Sequence, residues 1–173
     1  MIYLDNAATS FPKPSAVAKE VYKCLNNYCG NPGRGSYVLA LKAAEKVYEC
    51  REIVAQFLGC NNPENIIFTL NTTQALNMVI KGILHQGDHI IISDMEHNSV
   101  YRPIYHMFKQ GLIEYDTFHT YGLSNNSICQ SISSLIKENT KMILCIHSSN
   151  ICSLTLPIKD IGAICIDKTI YVH

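Results

Sequence analysis

From about residue 65 the chain alternates between short apolar runs and amphipathic stretches. The runs Asn65–Leu70, Asp88–Ser93, Ile113–Phe118, Lys141–Ile146 and Thr169–Val172 are rich in apolar and β-branched residues and read as strands. Between the first two, Ala75, Leu76, Val79, Ile80, Ile83 and Leu84 recur at helical spacing, and Gly87 is the stop. Residues 100–110, stopped by Gly111, read as a helix, as do Ser127–Lys137 and the segment from Pro157 to Asp167. Upstream, Ser15 opens a helix reaching Tyr28, with Val17, Val21 and Leu25 on one face. Tyr37–Leu58 is a long amphipathic helix with Leu41, Ala44, Val47, Tyr48, Val54, Phe57 and Leu58 as its stripe and Gly59 as its stop. Strand–helix alternation implies parallel βαβ units with helices on the faces. Ligands of such sheets sit beyond the carboxyl ends of the strands. Three polar clusters fall at those ends: Asn71–Thr73, Asp94–His97 and His147–Asn150.

The first cluster lies where a helix must start. A helix start leaves N–H groups unpaired, and Asn or Thr side chains cap them. The same donors, with the positive end of the helix dipole, can instead hold an anion. Thr72 and Thr73 therefore fit either an ordinary cap or a phosphate cradle, with His97 as an acid–base or ring-stacking group opposite. Asn31-Pro32-Gly33-Arg34-Gly35-Ser36 places a fixed positive charge in a flexible loop. Arg34 is either a solvated loop residue or a partner for carboxylate or phosphate.

Composition narrows the class. The chain has 173 residues, 47% hydrophobic and 16% charged, which suits one domain with a real core. Fourteen basic residues balance 14 acidic ones, so no basic excess speaks for nucleic acid or an anionic membrane. No apolar run is long enough to span a bilayer, and MIYLDNAATS shows no signal-peptide pattern, so a cytoplasmic location is expected. The eight cysteines form no C-x-x-C pair and no zinc spacing, and reduced, mostly structural thiols with no metal site are expected. No G-x-G-x-x-G or G-x-x-x-x-G-K-[ST] follows a strand, which disfavours dinucleotide and P-loop enzymes.

YLDNAAT at 3–9, NPGRG at 31–35, the threonine pair at 72–73, MEHNS at 95–99, HSSN at 147–150 and LPI at 156–158 together make the chain similar to the N-terminal part of class V aminotransferases, in the cysteine desulfurase-like branch. The resemblance implies a three-layer αβα sandwich, the large domain of a fold-type-I pyridoxal-phosphate transferase, spanning residues 1–173, with about 1–35 packed at the active site. It implies pyridoxal 5′-phosphate as cofactor. Thr72 and Thr73 would bind its phosphate, His97 would stack on its ring and assist proton transfer, and Asn150 would contact it or the substrate. Asn6, Ala7, Ala8 and Arg34 would line the pocket of L-cysteine or a related amino acid. The implied chemistry is removal of sulfur from cysteine, giving alanine and an enzyme persulfide, by a homodimer with sites at the subunit boundary.

Two departures stand out. The family has a glycine three residues after the asparagine of HSSN, where this chain has Ser153. The family also continues past Tyr171-Val172-His173 to an aspartate for the pyridinium nitrogen, the Schiff-base lysine, the persulfide cysteine and a small C-terminal domain. No lysine here stands in the matching context. The 173-residue polypeptide by itself is therefore expected to lack desulfurase turnover and to be prone to association. The alternatives are a non-catalytic remnant and one half of a split enzyme completed by a C-terminal chain.

Overall fold

The computed structural model describes residues 2–6, 8–35, 37–168 and 170–172. The chain divides into two compact units, residues 1–68 and 69–173.

The first unit holds helices α1 (Ser15–Asn27) and α2 (Val38–Leu58) and a 3₁₀ turn at Pro63–Asn65. Gly59 ends α2 in the left-handed region at φ 68°, as its position after the last apolar residue predicts. At Gly30 a Cβ would meet the Leu39 backbone at 2.7 Å, so that close approach admits only glycine. The apolar stripes are largely uncovered. Val17, Val21 and Leu25 on α1 are exposed, as are Leu41, Val47, Tyr48, Phe57 and Leu58 on α2; the buried positions of α2 are Ala40, Ala43 and Ala55. Periodicity marks a face that should be covered, but not what covers it.

The second unit is the α/β body. Helix α3 (Thr72–Ile83) leads into β1 (Asp88–Ser93), followed by α4 (Asn98–Lys109), β2 (Ile113–Phe118), α5 (Asn125–Leu135), β3 (Thr140–Leu144), α6 (Ile158–Lys168) and β4 (Tyr171–Val172). The strands form one parallel sheet in the order β2-β1-β3-β4. The expected strand at Asn65–Leu70 is not one. Residues 66–69 form no regular element, Leu70 is at a bend, none of them lies in a ladder among the described residues, and Ile67, Phe68 and Leu70 are exposed. An apolar run becomes a strand only when another strand pairs with it.

β1 carries Ile90 and Ile92 on one face and Ile91 on the other, as the two-residue period requires. The first face packs Leu76 and Ile80 of α3, Val100, Ile104 and Met107 of α4, and Met142 and Leu144 of β3. The second packs Ile128 and Ile132 of α5, Ile161 and Cys165 of α6, Phe118 and Ile143. Three layers result. Each buried isoleucine contributes roughly 1.5–3 kcal/mol, and burial on both faces explains the uninterrupted apolar run of β1. The connections explain the layering. The chain leaves β1 to one side for β2, then returns over β1 to β3. Right-handed crossovers therefore put α4 on one face and α5 on the other. β1 and β3 are thus neighbours whose connections diverge, which opens a crevice beyond their carboxyl ends.

At the opposite edge, His89 is fully buried. Its Nδ1 lies 2.8 Å from the Thr140 hydroxyl and its Nε2 3.1 Å from an Asp116 carboxylate oxygen. The Asp116 carboxylate can only accept, so Nε2–H donates to it, and Nδ1 of the neutral ring accepts from the Thr140 hydroxyl, whose oxygen takes the Lys137 N–H. Burial, then the nearby Lys137 ammonium, hold the imidazole below its ordinary 6.5 despite Asp116. The unfolded chain then binds a proton that the folded chain resists, so stability falls as pH drops through the unfolded value toward the lower folded one. Melting temperatures at pH 8, 7, 6 and 5 should be level at first and then decline. His89→Gln should flatten that decline. Asp116, held low by Lys137, adds its own loss only below about pH 3.8, its unfolded value. Among the described residues, no helix is long and apolar enough to cross a membrane.

Candidate functional site

The start of α3 is capped by Asn71, whose side chain accepts the Gln74 N–H at 2.9 Å, while Gln74 reaches back to the Leu70 N–H at 2.8 Å. Asn71 is thus the cap, and the two threonines are free of that duty. Among the described residues the N–H groups and hydroxyls of Thr72 and Thr73 have no acceptor within the protein, and both residues are exposed.

His97 caps α4. Its Nδ1 accepts the Ser99 N–H at 3.1 Å and lies 2.8 Å from the Ser99 hydroxyl. Nδ1 is therefore the unprotonated nitrogen of the neutral ring, the proton sits on Nε2, and the ring's orientation is set by the helix start. Thr73 and His97 line the same cleft, about 420 Å³, between α3 and α4. Asn77 and Lys81 continue one wall, and Arg102 and His106 the other. No carboxylate is among its lining residues.

Two carboxylates in the loop after β1 tie the strand ends together. Asp94 accepts the Thr120 hydroxyl at 2.7 Å, the Thr120 N–H at 3.3 Å and the His119 ring at 3.1 Å, joining the ends of β1 and β2. Glu96 accepts the Ser93 hydroxyl and the Ile146 N–H, the latter at 2.7 Å, and so clamps the β1 loop to the exit of β3. Neither role is visible in the sequence beyond two acids placed after a buried strand.

The exit of β3 leads to His147–Asn150. A tight loop follows: Ser148 and Thr155 pair as a bridge, Ser149 N–H donates to Leu154 O at 2.8 Å, and Leu156 N–H donates to His147 O at 2.9 Å. Asn150 sits exposed in this loop, outside the lining of the α3–α4 cleft. Ser153 has φ 57°, the left-handed region. That conformation explains why a glycine suits this position and what the serine does there: it strains the turn. Ser153→Gly should raise stability by about 0.5–1 kcal/mol, after allowing for the greater freedom of glycine in the unfolded chain, and a urea titration would register it.

Cysteines divide by environment. Burial pushes the Cys145 thiol up to about 12, which makes it an inert core group. Cys152, exposed in the loop after Asn150, is held below the usual thiol range by the Ser149 hydroxyl and then by the Leu154 backbone. Asn6, Ala8 and Arg34 belong to the first unit; the Asn6 side chain accepts the Phe11 N–H at 3.1 Å, and Arg34 is exposed. Ala7 lies outside the described residues. Among the described residues no cluster of three or more His, Cys, Asp or Glu could hold a metal ion.

A dianionic phosphate ester fits the α3 end of the cleft. Thr73 lines that end and Thr72 does not; unpaired first-turn N–H groups, the free Thr73 hydroxyl and the absence of a lining carboxylate are the donor set that phosphate recognition uses.

The sequence model of the family described as Aminotransferase class-V matches residues 2–173. A probable cysteine desulfurase of Methanothermobacter thermautotrophicus is 32% identical, over 96% of this chain and 41% of its own length. The cysteine desulfurase IscS of Aeromonas salmonicida is 30% identical, over 99% of this chain and 43% of its own. Among solved structures, the apo cysteine desulfurase of Thermococcus onnurineus superposes with a TM-score of 0.85 at 28% identity, covering 99% of this chain and 42% of that one. SspA in complex with cysteine gives a TM-score of 0.85 at 27% identity, over all of this chain and 50% of the other. The chain thus spans about two fifths of the length of these curated relatives.

Proposed function

Because the chain belongs to the class V aminotransferase family, we propose that it forms the phosphate-binding wall and the ring-facing histidine of a pyridoxal 5′-phosphate-dependent cysteine desulfurase. The observation that carries this reading is Thr73 and His97 on one carboxylate-free cleft, each at a helix start. When bound, the cofactor draws electrons from the α-carbon of an amino acid. The protein's residues bind, orient and move protons. Thr72 and Thr73 hold the phosphate through their first-turn N–H groups and hydroxyls. His97, its Nδ1 occupied by Ser99, offers a ring face for stacking and an Nε2 proton. Asn150 offers an amide to the cofactor or substrate from the loop after β3. Asn6, Ala7, Ala8 and Arg34 of the N-terminal segment recognise the substrate, with L-cysteine the candidate that the cysteine complex of SspA supports. The relatives named above are cysteine desulfurases, which favours this reading over a remnant without catalysis. A second copy of the chain is the partner, and the exposed α2 stripe gives it an apolar face to cover.

The test separates the two roles of His97. Asparagine is a strong helix cap, so His97→Asn keeps α4 started but removes the aromatic face. Its melting temperature should stay near that of the parent, while fluorescence titration with pyridoxal 5′-phosphate should show affinity down about 3–10-fold, the worth of one aromatic stack. Unchanged affinity would remove His97 from the cofactor site.

A further inference from the structure

We infer that Ser99 is a positioning residue: its hydroxyl holds the His97 ring in one orientation when Nδ1 carries a proton, the form from which Nε2 can release one. The inference rests on the assignment of His97 to the cofactor site. Histidine is not among the residues that favour a helix cap. At the start of α4 it takes that position, and its Nδ1 accepts the Ser99 N–H at 3.1 Å. The bond needs a bare Nδ1, so the capped ring is neutral with its proton on Nε2. Such a ring has no proton to give, because loss of the Nε2 proton would leave an imidazole anion. To act as an acid, the ring first takes a proton on Nδ1 and then releases the one on Nε2, ending neutral with Nδ1–H. To act as a base, it starts from that Nδ1–H form and takes a proton on Nε2. Either way Nδ1 carries a proton, and two N–H groups then point at each other with their nitrogens 3.1 Å apart.

The Ser99 hydroxyl resolves that conflict. Its Oγ lies 2.8 Å from the same Nδ1. A hydroxyl both donates and accepts, and its hydrogen rotates to suit. It donates to the bare Nδ1 and, after turning about its own C–O bond, accepts from Nδ1–H, with no movement of the ring. The neighbouring carboxylates are committed elsewhere. Glu96 accepts from Ser93 and Ile146, and Asp94 from Thr120 and His119. The other charged or titratable residues of the cleft are Lys81 of α3 and Arg102 and His106 of α4. Lys81 and Arg102 have only donors. His106 stands two helical turns beyond Ser99, about 10 Å along α4. The acceptor within reach of a protonated Nδ1 is therefore the hydroxyl at 99.

The experiment is NMR of the unliganded 173-residue protein with isotope-labelled histidine. The His97 signals are assigned by their absence from His97→Asn. The side-chain χ1 rotamer of His97 is read at about pH 8, where histidine is neutral, and at about pH 5, where it is charged. The parent should show one rotamer at both. Ser99→Ala should match it at the higher pH, where the backbone N–H at 99 still binds Nδ1, and should average over rotamers at the lower. Ser99→Thr keeps the hydroxyl and should restore the single rotamer. A serine that merely supported the helix start would change both conditions alike. A variant that melts at about pH 5 is compared at about pH 6.5, where an ordinary histidine is half charged and about half the averaging should appear. Averaging in the parent at the lower pH, an alanine variant indistinguishable from the parent, or no rescue by threonine would each overturn the inference. Pyridoxal 5′-phosphate titration of His97→Asn tests the cofactor reading without touching Ser99. The rotamer contrast together with unchanged affinity in His97→Asn would leave the hold of Ser99 on the ring standing and discard the cofactor reading. Weakened affinity without the contrast would discard Ser99 alone.

Discussion

Glu96→Ala is expected to lower stability by about 2–4 kcal/mol and to weaken cofactor binding in the same variant. The carboxylate accepts from the buried Ser93 hydroxyl at the end of β1 and from the Ile146 N–H at the exit of β3. Alanine leaves both donors without an acceptor in a place that water enters poorly, and each unpaired buried group costs about 1–3 kcal/mol. The consequence is local as well as global. Glu96 stands between the two diverging connections of the sheet, so its loss frees the loop that positions His97 and the loop that carries Asn150. Glu96→Gln retains a side-chain carbonyl for the Ile146 N–H and should lose no more than about half as much. Urea unfolding of the two variants beside the parent, followed by pyridoxal 5′-phosphate titration, checks both parts. An alanine variant as stable as the parent would show that the clamp carries no load.

That clamp also marks the limit of what residues reveal by themselves. β1 and β2 were legible to the residue, Asp88–Ser93 and Ile113–Phe118, because an apolar run between turn signals has one reading once it recurs with helices between. The alternation also gave parallel βαβ units with helices on the faces, and the three-layer order came with the family resemblance. Glu96 was visible as an acid beside a histidine, but its partner Ile146 is 50 residues away, and Asp94 meets Thr120 across 26. Long-range hydrogen bonds leave no local periodicity to find. The strand expected at Asn65–Leu70 failed for a related reason: its composition is right, but a ladder belongs to two segments at once. The α2 stripe was legible as apolar, but its periodicity carries no information on what covers it, and Phe57 stands 86% exposed. At Ser153 the odd residue was plain in the sequence and its meaning was not. Only the backbone, at φ 57°, turns an unusual serine into a strained turn.

Thr73→Val is expected to reduce pyridoxal 5′-phosphate affinity about 10–100-fold with little change in stability. Valine copies the shape of threonine and keeps its branched Cβ, so the exposed first turn of α3 should persist. The cap does not depend on the hydroxyl, because Asn71 performs it through Gln74. What disappears is the one O–H donor that the proposed function assigns to the phosphate, and a hydrogen bond to a charged acceptor is worth about 1.5–3 kcal/mol. The first-turn N–H groups remain, which is why binding should weaken rather than vanish. Thr72→Val probes the neighbouring hydroxyl, and the double variant should lose more than either alone. Pyridoxal, which lacks the phosphate, supplies the control. If the threonines act on the phosphate, the substitution should leave the weaker affinity for pyridoxal where it was. An equal loss for both compounds would mean that Thr73 shapes the cleft without touching the phosphate, and the anion reading of the α3 terminus would have to be abandoned.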